Sequence, residues 1–192
     1  MNNRLLSSFI QISLDGYYCN SEGDISFAQK PPEDEEWTEF VNGNASGDGI
    51  LLFGRTTYEM MASWWPTPAA AKAMPVVAAA MNARPKVVFS HTMKSAEWAN
   101  TRVERNAVEV VRRMKSEEGP GMAILGSGGL VAQLADAGLV DLYQVVIIPV
   151  ALGNGKAFLA GLNRPLDLVQ TKTRTFANGS VALWYVPRDR LK

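Results

Sequence analysis

Residues 49–57 read Gly49-Ile50-Leu51-Leu52-Phe53-Gly54-Arg55-Thr56-Thr57, an almost wholly apolar run between two glycines followed at once by a cation and two hydroxyls. A short run without polar alternation suits a central strand covered on both faces. Tyr58, Met61, Ala62 and Trp65 then recur at helical spacing until Pro66 and Pro68 stop the pattern. The stretch is therefore a buried strand that turns abruptly into a helix, with its polar groups at the junction.

The same arrangement returns downstream. Met122 to Leu125 reads as a strand, Gly126-Ser127-Gly128-Gly129 as the junction, and Leu130, Val131, Leu134 and Ala135 as the inner stripe of a helix ending before Gly138. Between the two units, Pro85 to Ser90 is a short strand preceded by a loop or irregular helical segment. Ala107, Val110, Val111 and Met114 mark an amphipathic helix that stops at Gly119-Pro120-Gly121. Upstream, Leu5 to Ser13 is a buried first strand closed by an Asp15-Gly16 turn, and residues 17–32 read as a loop. A short helix over Glu33 to Val41, entered through Pro31 and Pro32, puts Trp37, Phe40 and Val41 on one side, and residues 43–49 connect it onward. Downstream, Leu142 to Val150 is a β-branched run, Gly153-Asn154-Gly155 a turn, and Asn178-Gly179 joins Leu166–Phe176 to Ser180–Val186 as a hairpin. The expected fold is α/β: a three-layer sandwich in one domain over residues 1–192. Its central sheet is mixed and mostly parallel, with helices on both faces and a C-terminal antiparallel hairpin.

Composition limits the chemistry. The chain has 192 residues, 47% apolar and 20% charged, with nineteen basic and nineteen acidic side chains. This balance argues against a broad nucleic-acid surface. Residues 1–39 hold eight acidic and two basic side chains, residues 40–192 eleven and seventeen, so an anionic ligand is expected to meet the later part of the chain. One cysteine, Cys19, excludes an internal disulfide, and one histidine, His91, leaves almost nothing for a zinc site or a Ser–His–Asp triad. No metal is expected. The opening MNNRLLSSFIQISLDG fits neither a signal peptide nor a membrane span, so a cytoplasmic protein without a membrane partner is expected.

Three junctions carry candidate chemistry. At Gly54-Arg55-Thr56-Thr57, unpaired amides at a helix start, hydroxyls and a guanidinium suit a phosphate; equally, a threonine could merely cap the helix while Arg55 faces water. At Gly126-Ser127-Gly128-Gly129, glycines permit close approach to a pyrophosphate, though packing or capping also accounts for them. The spacing is not the dinucleotide fingerprint of the doubly wound fold. Ser90 and His91 follow a short strand and could border an adenosine ribose, or be ordinary surface. Two anion sites at strand ends of one sheet together suggest an extended ligand such as a dinucleotide. Asp15 reads as a carboxylate that holds its own loop, Trp37, Trp64 and Trp65 as core or rim aromatics, and Cys19 as incidental.

These stretches, in order, resemble the dihydrofolate reductase-like superfamily, and specifically the reductase domain of bacterial riboflavin biosynthesis and its small stand-alone relatives. The similarity runs through Ser13-Leu14-Asp15-Gly16, Leu52 to Glu59, Gly126 to Val131, Gly138-Leu139-Val140-Asp141 and Ile148 to Lys156. The resemblance implies NADPH as cofactor. It would set Arg55 near the 2′-phosphate, Thr56 or Thr57 near the linking phosphates, Ser90 and His91 at the adenosine end, and Gly126, Ser127, Gly128 and Gly129 against the pyrophosphate, with Gly54, Leu130 and Val131 also among the cofactor-binding residues. In folate reductases the glycine pair has a cis peptide, which Ser127 makes costly here. The first strand and loop, from Gln11 through Asp15 to Tyr18, would flank nicotinamide and substrate, with Glu36 and Trp37 on the following helix. Asp34, Glu35 or Glu36 is nearest to the carboxylate that holds a pteridine. Lys156 and Arg174 are the candidates for a substrate phosphate. The Cys/His zinc signature of the deaminase domain often fused to that reductase is not found in these residues, so no deaminase activity is expected of them.

The implied activity is hydride transfer to a C=N or C=O group of a small heterocyclic or ribosyl-aminopyrimidine-like substrate, with no assigned catalytic residue and a homodimer as the assembly. Authentic dihydrofolate reduction, or a non-catalytic nucleotide-binding dimer, are the alternatives.

Overall fold

The computed structural model describes residues 4–29 and 33–191; Pro31 and Pro32 lie outside them. The elements in chain order are β1 (Leu6–Ser13), β2 (Tyr17–Cys19), α1 (Glu35–Ala45), β3 (Ile50–Gly54), α2 (Arg55–Trp64), α3 (Pro68–Ala73), α4 (Pro75–Ala83), β4 (Lys86–Phe89), β5 (Thr101–Glu104), α5 (Ala107–Ser116), β6 (Met122–Leu125), α6 (Gly128–Asp136), β7 (Leu142–Ile148), β8 (Lys156–Ala157), β9 (Leu168–Thr175) and β10 (Val181–Pro187). Eight strands form one sheet in the order β5-β4-β3-β6-β1-β7-β10-β9, and β2 pairs with β8 as a separate ribbon. The first six in that order run parallel, and β10 lies antiparallel to both of its neighbours. This is the expected mixed sheet with its closing hairpin.

Alternation along the strands sends side chains to two cores. Leu6, Leu52, Val87, Ile124 and Tyr143 point to the face covered by α5 and α6, and Leu51, Phe53 and Val88 to the face covered by α2 and α4. On that second face α1 closes the other half of the sheet, where Trp37 and Phe40 meet Phe176, Val146 and Ile148. Trp37 and Phe176 sit edge to face at 5.2 Å between centroids, as aromatic quadrupoles prefer.

Three parts of the sequence reading change. The segment before β4 is two helices, α3 and α4, each begun by a proline at its first position, where the missing N–H costs nothing. The loop after β1 contains the short strand β2. An edge strand, β5, pairs with β4 where no strand was expected.

Beneath the sheet, at the amino ends of β1 and β7, Asp141 ties distant segments together. Its Oδ2 accepts from the Leu6 N–H at 2.8 Å and from the Lys115 ammonium, and its Oδ1 lies 3.4 Å from Arg190. Lys115 and Asp141 are both under one tenth exposed, so each charge depends on the other.

Candidate functional site at the carboxyl ends of β3 and β6

β3 and β6 are adjacent and parallel, with Leu52 opposite Ile124. Their following helices leave to opposite faces, α2 into the core of Phe53 and α6 into the core of Leu52. That divergence opens the sheet rim where open α/β folds bind ligands. A hydrogen bond fixes the rim: the Gly54 N–H donates to Ser127 Oγ at 2.9 Å. Gly126 and Ser127 both adopt left-handed backbone, with φ of 60° and 54°. No cis peptide occurs among the described residues, so the Gly126–Ser127 bond is trans.

Helix capping separates these two helices from others. The first turn of α1 is capped by Asp34 (from Trp37 N–H, 3.0 Å), that of α3 by Thr67 (from Ala70 N–H, 3.1 Å) and that of α5 by Asn106 (from Glu109 N–H, 3.3 Å). Neither α2 nor α6 has a side-chain cap; α4 lacks one too, but it begins at Pro75 directly after α3. The rim therefore carries two sets of first-turn amides, with the positive end of a helix dipole behind each. The sequence alternative in which Thr56 or Thr57 caps α2 does not occur.

The glycine turn is gripped from two sides. A Cβ at Gly126 would lie 3.5 Å from Thr57 Cγ2, and one at Gly128 would come within 2.5 Å of the Tyr18 ring. Gly128 is thus required for the packing of Tyr18. Burial pushes the Tyr18 phenol upward from its ordinary range. The Gln11 side chain, half-buried near the end of β1, makes no hydrogen bond to another described residue.

On the β4 side, Arg55 pairs along its own helix with Glu59 at 3.0 Å, both about half exposed, an arrangement worth little and readily exchanged. Ser90 is buried, and its Oγ accepts from the N–H groups of Thr92 and Met93 at 3.2 and 3.0 Å; it shapes the loop. His91 beside it is exposed. Arg105, unmarked in the sequence reading, extends from the end of β5 and donates to the Ser90 carbonyl at 2.5 Å. Arg55 and Arg105 therefore stand at the carboxyl ends of β3 and β5, with Ser90 and His91 just after β4 between them.

Other candidates are placed elsewhere or used internally. Val131 offers neither side chain nor amide: it is wholly buried, and its N–H donates to Ser127 O at 3.0 Å. The Leu130 side chain is also in the core. Glu36 is turned to the hairpin, accepting from Arg174 Nη2 at 3.3 Å and from the Ala177 N–H at 3.1 Å. Trp37 is buried against Phe40 and Phe176, so its ring is a core element. Asp34 reaches the same hairpin through Asn178 Nδ2 at 2.6 Å. Asp15 accepts from Ser13 Oγ at 2.6 Å and from the N–H groups of Leu152 and Gly153 at 3.1 and 2.7 Å. The Ser13 hydroxyl foremost, then the Leu152 amide, hold its carboxyl down to about 2. Among the described residues no three His, Cys, Asp or Glu side chains gather as a metal site, and no helix is long and apolar enough to cross a membrane.

The RibD C-terminal domain family matches residues 4–182. The chain belongs to that family. It is 25% identical over 176 residues to the uncharacterized protein YyaP of Bacillus subtilis (strain 168), covering 92% of this chain and 91% of that one. Among solved structures, a protein assigned to riboflavin biosynthesis from Shewanella sp. PV-4 superposes with a TM-score of 0.73 at 18% identity, over 96% of this chain and 99% of that one. Dihydrofolate reductase from Enterococcus faecalis, complexed with NADP(H) and RAB-propyl, superposes with a TM-score of 0.66 at 16% identity, over 96% and 97%. The fold is therefore dihydrofolate reductase-like, and the RibD C-terminal domain is a reductase domain.

Proposed function

We propose that this RibD C-terminal domain is an NADPH-dependent reductase acting on a small heterocyclic substrate. One observation carries the reading. The uncapped first turns of α2 and α6 lie at adjacent strand ends, joined by the bond from Gly54 to Ser127. Orphan amides at two helix starts fit the phosphates of a dinucleotide, because each supplies donors and a favourable dipole without reorganisation. Arg55 and Arg105 fit a further phosphate at the adenosine end, Arg55 by leaving its exposed partner Glu59. Tyr18 and Gln11 fit the nicotinamide end.

When bound, the reduced nicotinamide supplies a hydride to the carbon of a C=N or C=O group, while a water proton completes the reduction at the nitrogen or oxygen. The protein's part is distance and orientation: Ser127 and Gly54 hold the two helix starts together, and the ring of Tyr18 blocks one side of the turn. Authentic dihydrofolate reduction is less well supported. Asp34 and Glu36 are both directed at the hairpin tip and would have to leave those partners to hold a pteridine.

Calorimetric titration with NADPH and NADH tests the cofactor. NADPH is expected to bind more tightly, and Arg55→Ala or Arg105→Ala to cost NADPH about tenfold or more in affinity, as a lost charged hydrogen bond does, while leaving NADH nearly unchanged. Equal affinity for the two cofactors, insensitive to both arginines, would remove the assignment of the 2′-phosphate.

A further inference from the structure

The β2–β8 ribbon is tied down on either side of a single loose residue. Upstream, the Leu152 and Gly153 N–H groups donate to the Asp15 carboxylate at 3.1 and 2.7 Å. Downstream, Lys156 and Ala157 pair with Cys19 and Tyr17. Between them Asn154 is exposed, and neither its side-chain amide nor the Gly155 N–H makes a hydrogen bond to a described residue. Gly155 itself cannot be exchanged. Its φ is 146°, and a Cβ there would overlap the Cys19 carbonyl oxygen. The packing therefore demands, after Asn154, the residue that leaves the main-chain nitrogen least shielded.

Two other Asn-Gly pairs give a comparison within the same chain. Asn42-Gly43 lies inside α1, where helical backbone commits the Gly43 N–H to the preceding turn. Asn178-Gly179 is held at three points. Asn178 Nδ2 donates to Asp34 at 2.6 Å, its Oδ1 accepts from the Ser180 N–H at 2.9 Å, and the Gly179 N–H donates to Phe176 O at 2.9 Å. Reaction between side chain and main chain at either pair must first break such bonds, and at Asn154 it breaks none.

We infer that Asn154 is a site of spontaneous covalent modification, and that its product unseats the β2–β8 ribbon. The Gly155 nitrogen attacks Asn154 Cγ. A bond from that nitrogen to Cγ forms, the Cγ–Nδ2 bond breaks, and ammonia leaves with the former Gly155 amide proton. Water then opens the five-membered imide. Cleavage between nitrogen and Cγ leaves aspartate; cleavage at the main-chain carbonyl leaves isoaspartate, whose main chain carries one extra carbon. That carbon falls directly before Gly155, where the chain has no slack against Cys19, so β8 loses its register with β2. Tyr18 lies between the two paired residues of β2, and its ring packs on Gly128. A change in an exposed turn thus reaches the glycine turn at the rim, whatever ligand that rim holds.

The test ages the intact chain in mildly alkaline buffer. Peptide mapping follows each Asn-Gly pair, and methyl transfer by an isoaspartate methyltransferase reports the isoaspartate. Asn154 is expected to convert about tenfold or more faster than Asn178 or Asn42, the factor that the bonds held at those two sites impose. Asn154→Ser is expected to abolish the early methyl acceptor. The isoaspartate fraction, separated by ion exchange, should lose hydrogen-exchange protection across residues 17–19 and 156–157, whereas Asn154→Asp, which adds the charge without the carbon, should keep it. Earlier conversion at Asn178 or Asn42 overturns the inference. So does an isoaspartate fraction whose ribbon exchanges like that of the fresh chain, or an Asn154→Asp variant that loses the same protection, because charge and not chain length would then be the cause.

Discussion

Ser127 holds the site together with one side chain and one unusual backbone conformation. Its left-handed φ of 54° strains any residue with a Cβ, and its Oγ accepts the Gly54 N–H that links β3 to β6. The two effects can be separated. Ser127→Ala keeps the strain and loses the bond, a cost of about 1 kcal/mol, whereas Ser127→Gly loses the bond and relieves about as much strain. Urea denaturation should therefore rank Ser127→Gly above Ser127→Ala, and the reverse order would mean that the left-handed backbone carries no strain; the bond is tested by Ser127→Ala against the natural chain, and equal stability of those two would mean that it contributes nothing. Asp15 makes a pH-dependent counterpart. Its folded carboxyl is held at about 2, below the ordinary 3.8, so its contribution is complete above the unfolded value and is lost as pH falls through the folded one. The thermal midpoint of Asp15→Asn should lie below that of the natural chain at neutral pH, and the gap should close under acid between those two values. A gap that persists at the acid end would assign the effect to shape. At this scale the sequence identified residues whose chemistry is local: glycines, an arginine and hydroxyls at a strand end act through backbone that their neighbours define. It could not identify Glu36 as a partner of Arg174, because that depends on what lies across the sheet, whereas Val131, read from its spacing as part of the inner stripe of its helix, is in the core.

Elements are held in place by interactions far apart in sequence, and Asp141 is the clearest case. It joins β1 through Leu6, α5 through Lys115 and the C-terminal turn through Arg190. Asp141→Asn would leave the Lys115 ammonium buried without its anion, and a loss of about 3–5 kcal/mol follows from the cost of such a charge. Lys115→Met should cost less, because Asp141 keeps the Leu6 amide and Arg190. Equal and small losses in chemical denaturation would show that solvent reaches the pair. The same dependence on distant contacts explains which elements the sequence disclosed. β3 and β6, and β4 after its first residue Lys86, are apolar because helices cover both faces, so composition and length found them. β5 reads Thr101-Arg102-Val103-Glu104, with little burial to impose a pattern, and exists because β4 offers it an edge. With β5 unrecognised, Arg105 at its end went unrecognised too. α3 and α4 are largely alanine, a composition that favours helix without marking a face.

Across the whole molecule, the rim between β3 and β6 is where the two halves of the structure part. α2 belongs to one core and α6 to the other, and the Gly54–Ser127 bond spans them where the chain turns away. A ligand that satisfies the first turns of both helices would tie the layers to each other as well as to itself, and its binding energy would appear as resistance to global unfolding. At one hundred times its dissociation constant a ligand adds about 2.7 kcal/mol. For a chain of 192 residues, that corresponds to a rise of about 5–10 °C in the unfolding midpoint. NADPH should give a rise of this size, and nicotinamide mononucleotide, which lacks the pyrophosphate bridge, a much smaller one at the same multiple of its own measured dissociation constant if part of the stabilisation comes from joining α2 to α6 cooperatively beyond simple mass action. Equal rises at equal saturation would mean that mass action alone accounts for both. Hydrogen exchange separates the two accounts directly. Bridging requires protection at the amides of Arg55, Thr56 and Thr57 together with those of Gly128 and Gly129, and protection confined to one of the two helix starts would mean that the ligand sits on one layer and leaves the rim between them open.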